Sequence, residues 1–355
     1  MIKSKPKRTH KIYSMIYNRL FILLFSIFLS QDFPVIGSEE SLDVMTWNIE
    51  HFPKNNNTLE YVEEIIESSN LDIIALQEIE NQNDFNTLVN NLDNWAGYRY
   101  SNSNYGELSY LINLNNIEIV QTPYSILNQY DHYFAYRPPY VIKINFNNKE
   151  IVIINVHFKC CGDGNLESDY WDEEYRRLQA NYYLKQYIDT YFSNNYVIVL
   201  GDFNDDIAES NSNNIFLDFI NDSNSYYFAD MSIANGPSSD WSFPTWPSHL
   251  DHILISNEFF NIFSNDIIAT YKIDDYMNSW QQYDNYISDH RPVLINFLWA
   301  ATGDLNQDGN INILDVTILI NLILNAEYLE LADFNNDGGL NILDLVVLVD
   351  LILSN

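Results

Sequence analysis

The sequence predicts an α/β chain: a four-layer α/β sandwich of two packed, mainly antiparallel sheets flanked by helices, followed by a small all-α calcium-binding module. Three observations carry this expectation. First, four apolar runs of strand length each end on a polar residue: Val44-Met-Thr-Trp-Asn48, Asp72-Ile-Ile-Ala-Leu-Gln-Glu78, Ile151-Val-Ile-Ile-Asn-Val-His157 and Tyr196-Val-Ile-Val-Leu-Gly-Asp202. Continuous apolar runs are the pattern of strands buried on both faces. Second, helical patterns lie between the runs, but strands outnumber helices and do not alternate strictly with them. That arrangement fits two packed sheets better than a doubly wound one. Third, an Asp- and Asn-rich loop followed by an apolar helix occurs twice near the C-terminus, 29 residues apart.

Taken in order, the elements begin with a basic stretch holding six of the chain's 17 Lys and Arg (Lys3, Lys5, Lys7, Arg8, Lys11, Arg19), followed by apolar residues 20–29. This is the layout of a secretory signal, with Val35-Ile-Gly37 supplying small residues for cleavage; the apolar part is short for a membrane span. The expected division is a signal peptide over 1–37, a large domain over 38–300 and a small module over 301–355. The product would be secreted, extracellular or attached at a cell surface, with no stable membrane span after cleavage. Within the large domain, helices are expected over 58–69, 84–92 and 168–192. Asn147-Asn148 reads as the turn of a hairpin joining 140–146 to 150–158. Two further segments place polar residues beside apolar strands: His249-Leu-Asp251-His252 before Ile253, and Ser288-Asp289-His290-Arg291-Pro292 before the run 293–298.

The chain has 355 residues, a length that accommodates a large core and a second small unit. Its net charge is −32. Such a charge opposes generic, salt-driven attachment to DNA or anionic membranes, so a polyanionic substrate would have to be met by local cations and metals. Arg137-Pro138-Pro139 with Arg99, Lys159, Arg176, Arg177 and Arg291 are the candidates for that local patch. The two cysteines, Cys160 and Cys161, are adjacent, which excludes a disulfide framework and leaves a vicinal bridge and free thiols both open.

A polar residue at the end of one strand is usually a turn or a cap. The same event four times marks a rim where side chains converge. Asn48, Glu78, Asp202, Asn204 and Asp289 are oxygen donors, a set suited to Mg2+ or Mn2+ rather than zinc. Hydrolysis of a phosphoester needs a Lewis acid on a phosphoryl oxygen, an activated water and stabilisation of the leaving oxygen. His157, Asp202, Asp251 and His290 could supply the last two.

Six motifs in order resemble the endonuclease/exonuclease/phosphatase superfamily, over about residues 42–298: Thr46-Trp47-Asn48-Ile49-Glu50, Leu76-Gln77-Glu78, Asn155-Val156-His157, Gly201-Asp202-Phe203-Asn204, Leu250-Asp251-His252-Ile253 and Ser288-Asp289-His290. The resemblance implies that Glu78 is the principal metal ligand, with Asn48 and Asp289 nearby, and that Asp202 and Asn204 position the attacking water. It also implies that His290, oriented by Asp251, serves as base or electrostatic stabiliser, and that His157 is the general acid or phosphate donor of the deoxyribonuclease-like branch. Glu50 departs from the Asp of several relatives, and His249 stands where a basic residue is frequent, suggesting a pH-dependent substrate contact. The loop Trp241-Ser-Phe243-Pro-Thr-Trp246-Pro is expected to pack over the sheet edge near the site.

In the C-terminal repeat, Asp304, Asn306, Asp308, Asn312 and Asp315 recur as Asp333, Asn335, Asp337, Asn341 and Asp344, filling positions 1, 3, 5, 9 and 12 of a calcium loop, with Gly309 and Gly338 at position 6. Paired loops with a helix on the exit side only (expected over 316–324 and 345–353), and Asp rather than Glu at position 12, resemble a type I dockerin. That implies two Ca2+ ions and a cohesin partner on a scaffold or cell-surface protein. Ile313-Leu314 and Ile342-Leu343 would either read that partner or fill the core between the helices. The expected function is a divalent-metal-dependent phosphodiesterase, foremost an endonuclease hydrolysing DNA or RNA. Alternatives are a phospholipid (sphingomyelinase-like) phosphodiesterase or phosphatase of the same superfamily and, in another class, a polysaccharide-degrading or non-catalytic binding component carried on a dockerin.

Overall fold

The computed structural model describes residues 33–38, 41–101, 107–264, 267–298, 303–306, 310–335 and 337–354. The first sheet contains β1 (Ser41–Phe52), β2 (Ile73–Ile79), β3 (Trp95–Arg99), β4 (Ser109–Asn113), β11 (Ile268–Thr270) and β12 (Val293–Leu298), in the order β11-β12-β1-β2-β4-β3. The second contains β5 (Glu118–Ser125), β6 (Tyr140–Phe146), β7 (Lys149–His157), β8 (Tyr196–Asp202), β9 (Tyr226–Phe228) and β10 (Asp251–Ser256), in the order β5-β6-β7-β8-β10-β9. Among the described residues each sheet is mixed, with one parallel pair, β1–β2 and β7–β8, among antiparallel neighbours.

Both faces of the central strands are buried, which accounts for their unbroken apolar runs. Alternate residues of β1 show the division: Leu42 and Val44 join Ile142, Ile153, Ile198 and Ile253 in the core between the sheets, whereas Met45, Trp47 and Ile49 point outward. The outward face is covered by α1 (Thr58–Ser69), α2 (Gln82–Asn91) and a later short helix; Val62, Ile65 and Ile66 of α1 and Phe85 and Leu88 of α2 supply the apolar stripe. On the second sheet, Val152, Ile154, Val197 and Val199 pack against Ala180, Leu184 and Ile188 of α3 (Glu173–Tyr191). Each such fully buried Val, Leu or Ile side chain contributes about 1.5–3 kcal/mol. The other described helices are α4 (Leu217–Ile220), α5 (Met231–Ala234), α6 (Trp280–Tyr286), α7 (Ile313–Asn325) and α8 (Ile342–Ser354).

Local chemistry sets the boundaries. Asn147 and Asn148 have φ of 47° and 61°, the left-handed values of a tight turn between β6 and β7. The α3 helix starts at Glu173 rather than at residue 168, because Asp172 caps it by accepting the Tyr175 N–H at 2.6 Å. Asn81 caps α2 in the same way and moves its start to Gln82. The signal expected over 1–37 falls mostly on residues outside the described set. From Phe33 the chain is packed on the large domain: Phe33 is buried, and the Ile36 and Gly37 N–H groups donate to Ser69 O at 3.0 and 2.9 Å.

Beneath one end of the sandwich the apolar inter-sheet layer gives way to a polar one. Gln77 Nε2 donates to Asn155 Oδ1 at 2.8 Å and to Thr46 Oγ1 at 3.1 Å, and Asn155 Nδ2 donates to Leu76 O and Ser109 O at 3.0 Å each. These buried groups tie the two sheets together one residue below Glu78 on β2 and two below His157 on β7.

Candidate active site

Strand register brings the rim together. His157 faces Asp202 across the parallel β7–β8 ladder, and Asp202 faces Asp251 across the antiparallel β8–β10 ladder. On the other sheet, Asn48 pairs with Gln77, one residue before Glu78. Gly201 has φ of 150°, and a Cβ there would lie 1.9 Å from Val156 O, so only glycine allows β8 to pass β7 this closely before Asp202.

Asn48 links the sheets across the site: its Nδ2 donates to Asp202 Oδ2 at 2.9 Å and to Glu78 Oε1 at 3.3 Å. Its Oδ1 accepts the Glu50 N–H, so the amide holds the two carboxylates with its nitrogen. Glu78, at φ of 61°, also accepts the His51 N–H. Asp202 Oδ1 accepts the Asn204 N–H at 2.9 Å, and Asn204 Nδ2 reaches Phe158 O at 3.3 Å. His290 Nδ1 is 2.7 Å from Asp251 Oδ2; its Nε2 lies 3.9 Å from both Asp202 and Asp289. Tyr283 donates its hydroxyl hydrogen to His290 O and accepts from Trp47 Nε1, and Phe243 packs on the His290 ring with centroids 4.7 Å apart.

The charges oppose one another. Burial by itself would lower the His290 pKa, but Asp251 and Asp202 outweigh it and push it up to about 10. Burial, helped by Asp251 and Glu78, raises Asp202 to about 7 despite His290. Burial and Glu50 raise Asp289 to about 6, again against His290. His157 goes the other way, well below the ordinary histidine value, through burial and the charges of Arg137 and His290. Its Nε2 lies 3.6 Å from Asp202. Its Nδ1 is buried without a hydrogen bond among the described residues, 3.8 Å from Glu107.

Glu107 and Arg137 form a unit that sequence reasoning captured only in half. Arg137 pairs with Glu107 at 3.1 Å and donates to His157 O and Phe158 O. Glu107 lies in a short segment with no motif, so no local signal could have singled it out. The wider cationic patch does not assemble. Arg99 is spent on Ile79 O and Glu80 O, Arg176 on His132 O, Arg177 on Asp205, and Arg291 on Asp274. Nor is His249 a substrate contact: it is fully buried, with Nε2 3.0 Å from Asp230 and Nδ1 accepting the Ser242 N–H. Cys160 and Cys161 are exposed thiols with Sγ atoms 3.0 Å apart.

In the C-terminal module the position-12 carboxylates close each loop. Asp315 Oδ1 accepts from Leu305 N at 2.7 Å and Asn306 N at 3.1 Å, and Asp344 Oδ1 accepts from Asn335 N at 3.4 Å. Asp304, Asp315, Asp333 and Asp344 are all buried. Asn306, Asn312, Asn335, Asp337 and Asn341 surround them, while Asp308 and Gly309 lie outside the described residues. The exit helices α7 and α8 are each longer than expected, beginning at Ile313 and Ile342. Ile313, Leu314, Ile342 and Leu343 are 67, 52, 64 and 57% exposed, so they do not fill the module's core, which is built from Val316, Leu319, Ala332 and Leu348.

The pattern of the Endonuclease/Exonuclease/phosphatase family matches residues 45–290, and that of the dockerin type I domain matches residues 302–353. The chain belongs to the Endonuclease/Exonuclease/phosphatase family. It is a metal-dependent phosphoester hydrolase joined to a type I dockerin, a kind of domain that binds calcium and implies a cohesin partner. Its fold is similar to the D. rerio TDP2 complexed with single-strand DNA product (11% identity, TM-score 0.54, 72% of this chain and 98% of that one). It is also similar to a variant of the Neisseria 3' phosphatase NExo bound to a product DNA hairpin (16%, 0.54, 73 and 100%) and to truncated TDP2 from Caenorhabditis elegans (15%, 0.51, 73 and 98%). Comparison with curated proteins finds no match. Among the described residues, no helix is long and apolar enough to cross a membrane.

Proposed function

We propose that the chain is a secreted phosphodiesterase that cleaves DNA or RNA and is carried on a cohesin-bearing partner by its dockerin, with domain limits at 1–37, 38–300 and 301–355. The observation that carries the nuclease reading is the pair of histidines on either side of Asp202: His157 at 3.6 Å, backed by Glu107 and Arg137, and His290 at 3.9 Å, backed by Asp251. A phosphate between them would meet hydrogen-bond donors from both sheets at once.

The donor set fits a hard divalent cation. Glu78 and Asp289 are carboxylates on side chains that are 21 and 30% exposed, and Asn48 lies between Glu78 and Asp202. Mg2+ or Mn2+ held by Glu78 and Asp289, with Asn48 beside Glu78 and bridging to Asp202, would supply Lewis-acid polarisation of the phosphoryl oxygen. His290, kept protonated by Asp251, stabilises charge that builds on the phosphate. Asp202, with a pKa near neutrality and Asn204 at its side, orients the attacking water and takes its proton. His157, neutral in the free protein, donates a hydrogen bond to a phosphate oxygen.

The test is hydrolysis of supercoiled plasmid, RNA, sphingomyelin and a phosphomonoester by the full chain with magnesium or manganese, beside Glu78→Ala. Plasmid nicking that the variant loses supports the nuclease. Turnover of lipid or monoester alone replaces the substrate class, and activity that survives Glu78→Ala removes the site.

A further inference from the structure

The segment joining β7 to α3 contains a third loop with the spacing of the dockerin repeats. Counting Asp163 as position 1 gives Asn165 at 3, Glu167 at 5, Asp169 at 7 and Glu174 at 12, with a helix leaving from the end of the loop. The dockerin loops have Asp, Asn, Asp and Asp at positions 1, 3, 5 and 12, again leading into a helix. The hydrogen bonding matches as well as the spacing. Glu174 Oε1 accepts the N–H of Gly164, position 2, at 2.7 Å; Asp315 Oδ1 accepts the N–H of Leu305, also position 2, at 2.7 Å.

The second oxygen of Glu174 points to a ligand. Glu174 is 3% exposed, and its Oε2 is buried with no hydrogen-bond partner among the described residues, although the side chain lines an open depression of about 440 Å³ together with Asp163, Glu167, Asp169, Asp172 and Glu173. A helix N-terminus favours acidic side chains, and that explains Asp172 as a cap and Glu173 beside it. It does not explain a buried carboxylate with an unused oxygen, which is costly to leave unsatisfied. Arg177 reaches only Oε1, at 3.4 Å, and its other nitrogens are spent on Asp205, Lys159 O and Cys161 O. The neighbouring Lys159 is turned to Glu173, at 3.8 Å, rather than to Glu174.

We infer that residues 163–174 form a calcium site in the large domain, distinct from the phosphoesterase site and from the dockerin loops, with Glu174 as its position-12 ligand. Asp163, Asn165, Glu167 and Asp169 supply further oxygens, a number and hardness suited to Ca2+ rather than a transition metal. Position 6 is Ser168 rather than the glycine of the repeats. The site lies six residues past His157, and Arg177 ties it to the strand end through Lys159 O and Cys161 O. The inference does not depend on the nuclease reading.

Two readouts on the full chain test it, both in excess magnesium so that Mg2+ competes at the catalytic carboxylates. Native mass spectrometry should count three calcium ions per chain, falling to two in Glu174→Gln and in Asp163→Asn. The second variant alters an exposed side chain and leaves the buried contacts of Glu174 in place, so it serves if the first fails to fold. Trp171 stands at position 9 of the loop, so Tb3+ luminescence excited through tryptophan should fall in Trp171→Phe without loss of the third ion, and fall together with the ion in Asp163→Asn. Two ions in the wild type, or three that persist in both carboxylate variants, would overturn the assignment.

Discussion

His157 and Asp202 sit opposite each other on adjacent parallel strands, with Nε2 3.6 Å from Oδ2 and no hydrogen bond on the other ring nitrogen among the described residues. This relationship separates the two histidines of the site. His290 is held as a cation by Asp251, whereas burial and Arg137 keep His157 neutral. Replacing His157 with Gln should therefore lower kcat about 100- to 10,000-fold while leaving the thermal midpoint close to that of the wild type. Steady-state kinetics on plasmid with parallel thermal melts check both parts; an unchanged kcat would remove His157 from the reaction.

Asp251 does most to fix the state of its partner, and Asp251→Asn would leave His290 without the largest of the charges that raise its pKa. The expected result is a loss of kcat similar to that of His290→Ala. The double variant should be little worse than either single one, because the pair acts as a unit. NMR of the His290 ring would show the pKa falling; additive losses would contradict the pairing.

Gln77 lies in the polar layer joining the two sheets, below the rim. Gln77→Leu leaves Asn155 Oδ1 without its donor inside the core, and should destabilise the large domain by about 1–3 kcal/mol. Urea unfolding reads this directly. A neutral effect would mean the sheets hold their spacing by apolar packing alone.

Asp72 is fully buried, and burial, which outweighs hydrogen bonds from Asp43 N and Asn116, raises its pKa to about 6. An acid whose folded pKa exceeds its unfolded value binds more protons when folded, so its contribution favours the folded state below about pH 4. That contribution is lost as pH rises to about 6, a change of about 3 kcal/mol. Asp72→Asn removes this dependence: its unfolding free energy relative to wild type should improve between pH 4 and pH 6.5. A constant difference across that window would show that Asp72 titrates normally.

Ile313-Leu314 and Ile342-Leu343 project from equivalent places at the starts of α7 and α8. If either half can engage a cohesin, replacing one pair with Ala should weaken binding by no more than a few-fold, and replacing both should abolish it. Removal of calcium with a chelator should unfold the module, because the buried Asp304, Asp315, Asp333 and Asp344 then repel within their loops. Calorimetric titration of a cohesin into the full chain distinguishes these outcomes; abolition by a single pair would assign one face only.

The sandwich, its helices and the duplicated loops were legible in the sequence because they are written locally. Apolar runs such as 151–156 have one stable environment, buried on both faces, and Asn147-Asn148 permits one tight turn. Spacing alone ordered Asp304, Asp333 and their loop partners. Asn48, Glu78, His157, Asp202, Asp251 and His290 were legible as candidates because each is a polar residue next to an apolar run, in or just outside a strand, at one rim. What only the tertiary structure decided depends on register and on what is buried against what. It recruited Glu107 from an unmarked segment to stand 3.8 Å from His157. It consumed Arg99, Arg176, Arg177 and Arg291 in bonds to carbonyls and carboxylates, and it buried His249 against Asp230. A side chain's charge is local information, but whether that charge faces solvent, a partner or a substrate is set by strands far apart in the chain, and sequence spacing carries no record of it.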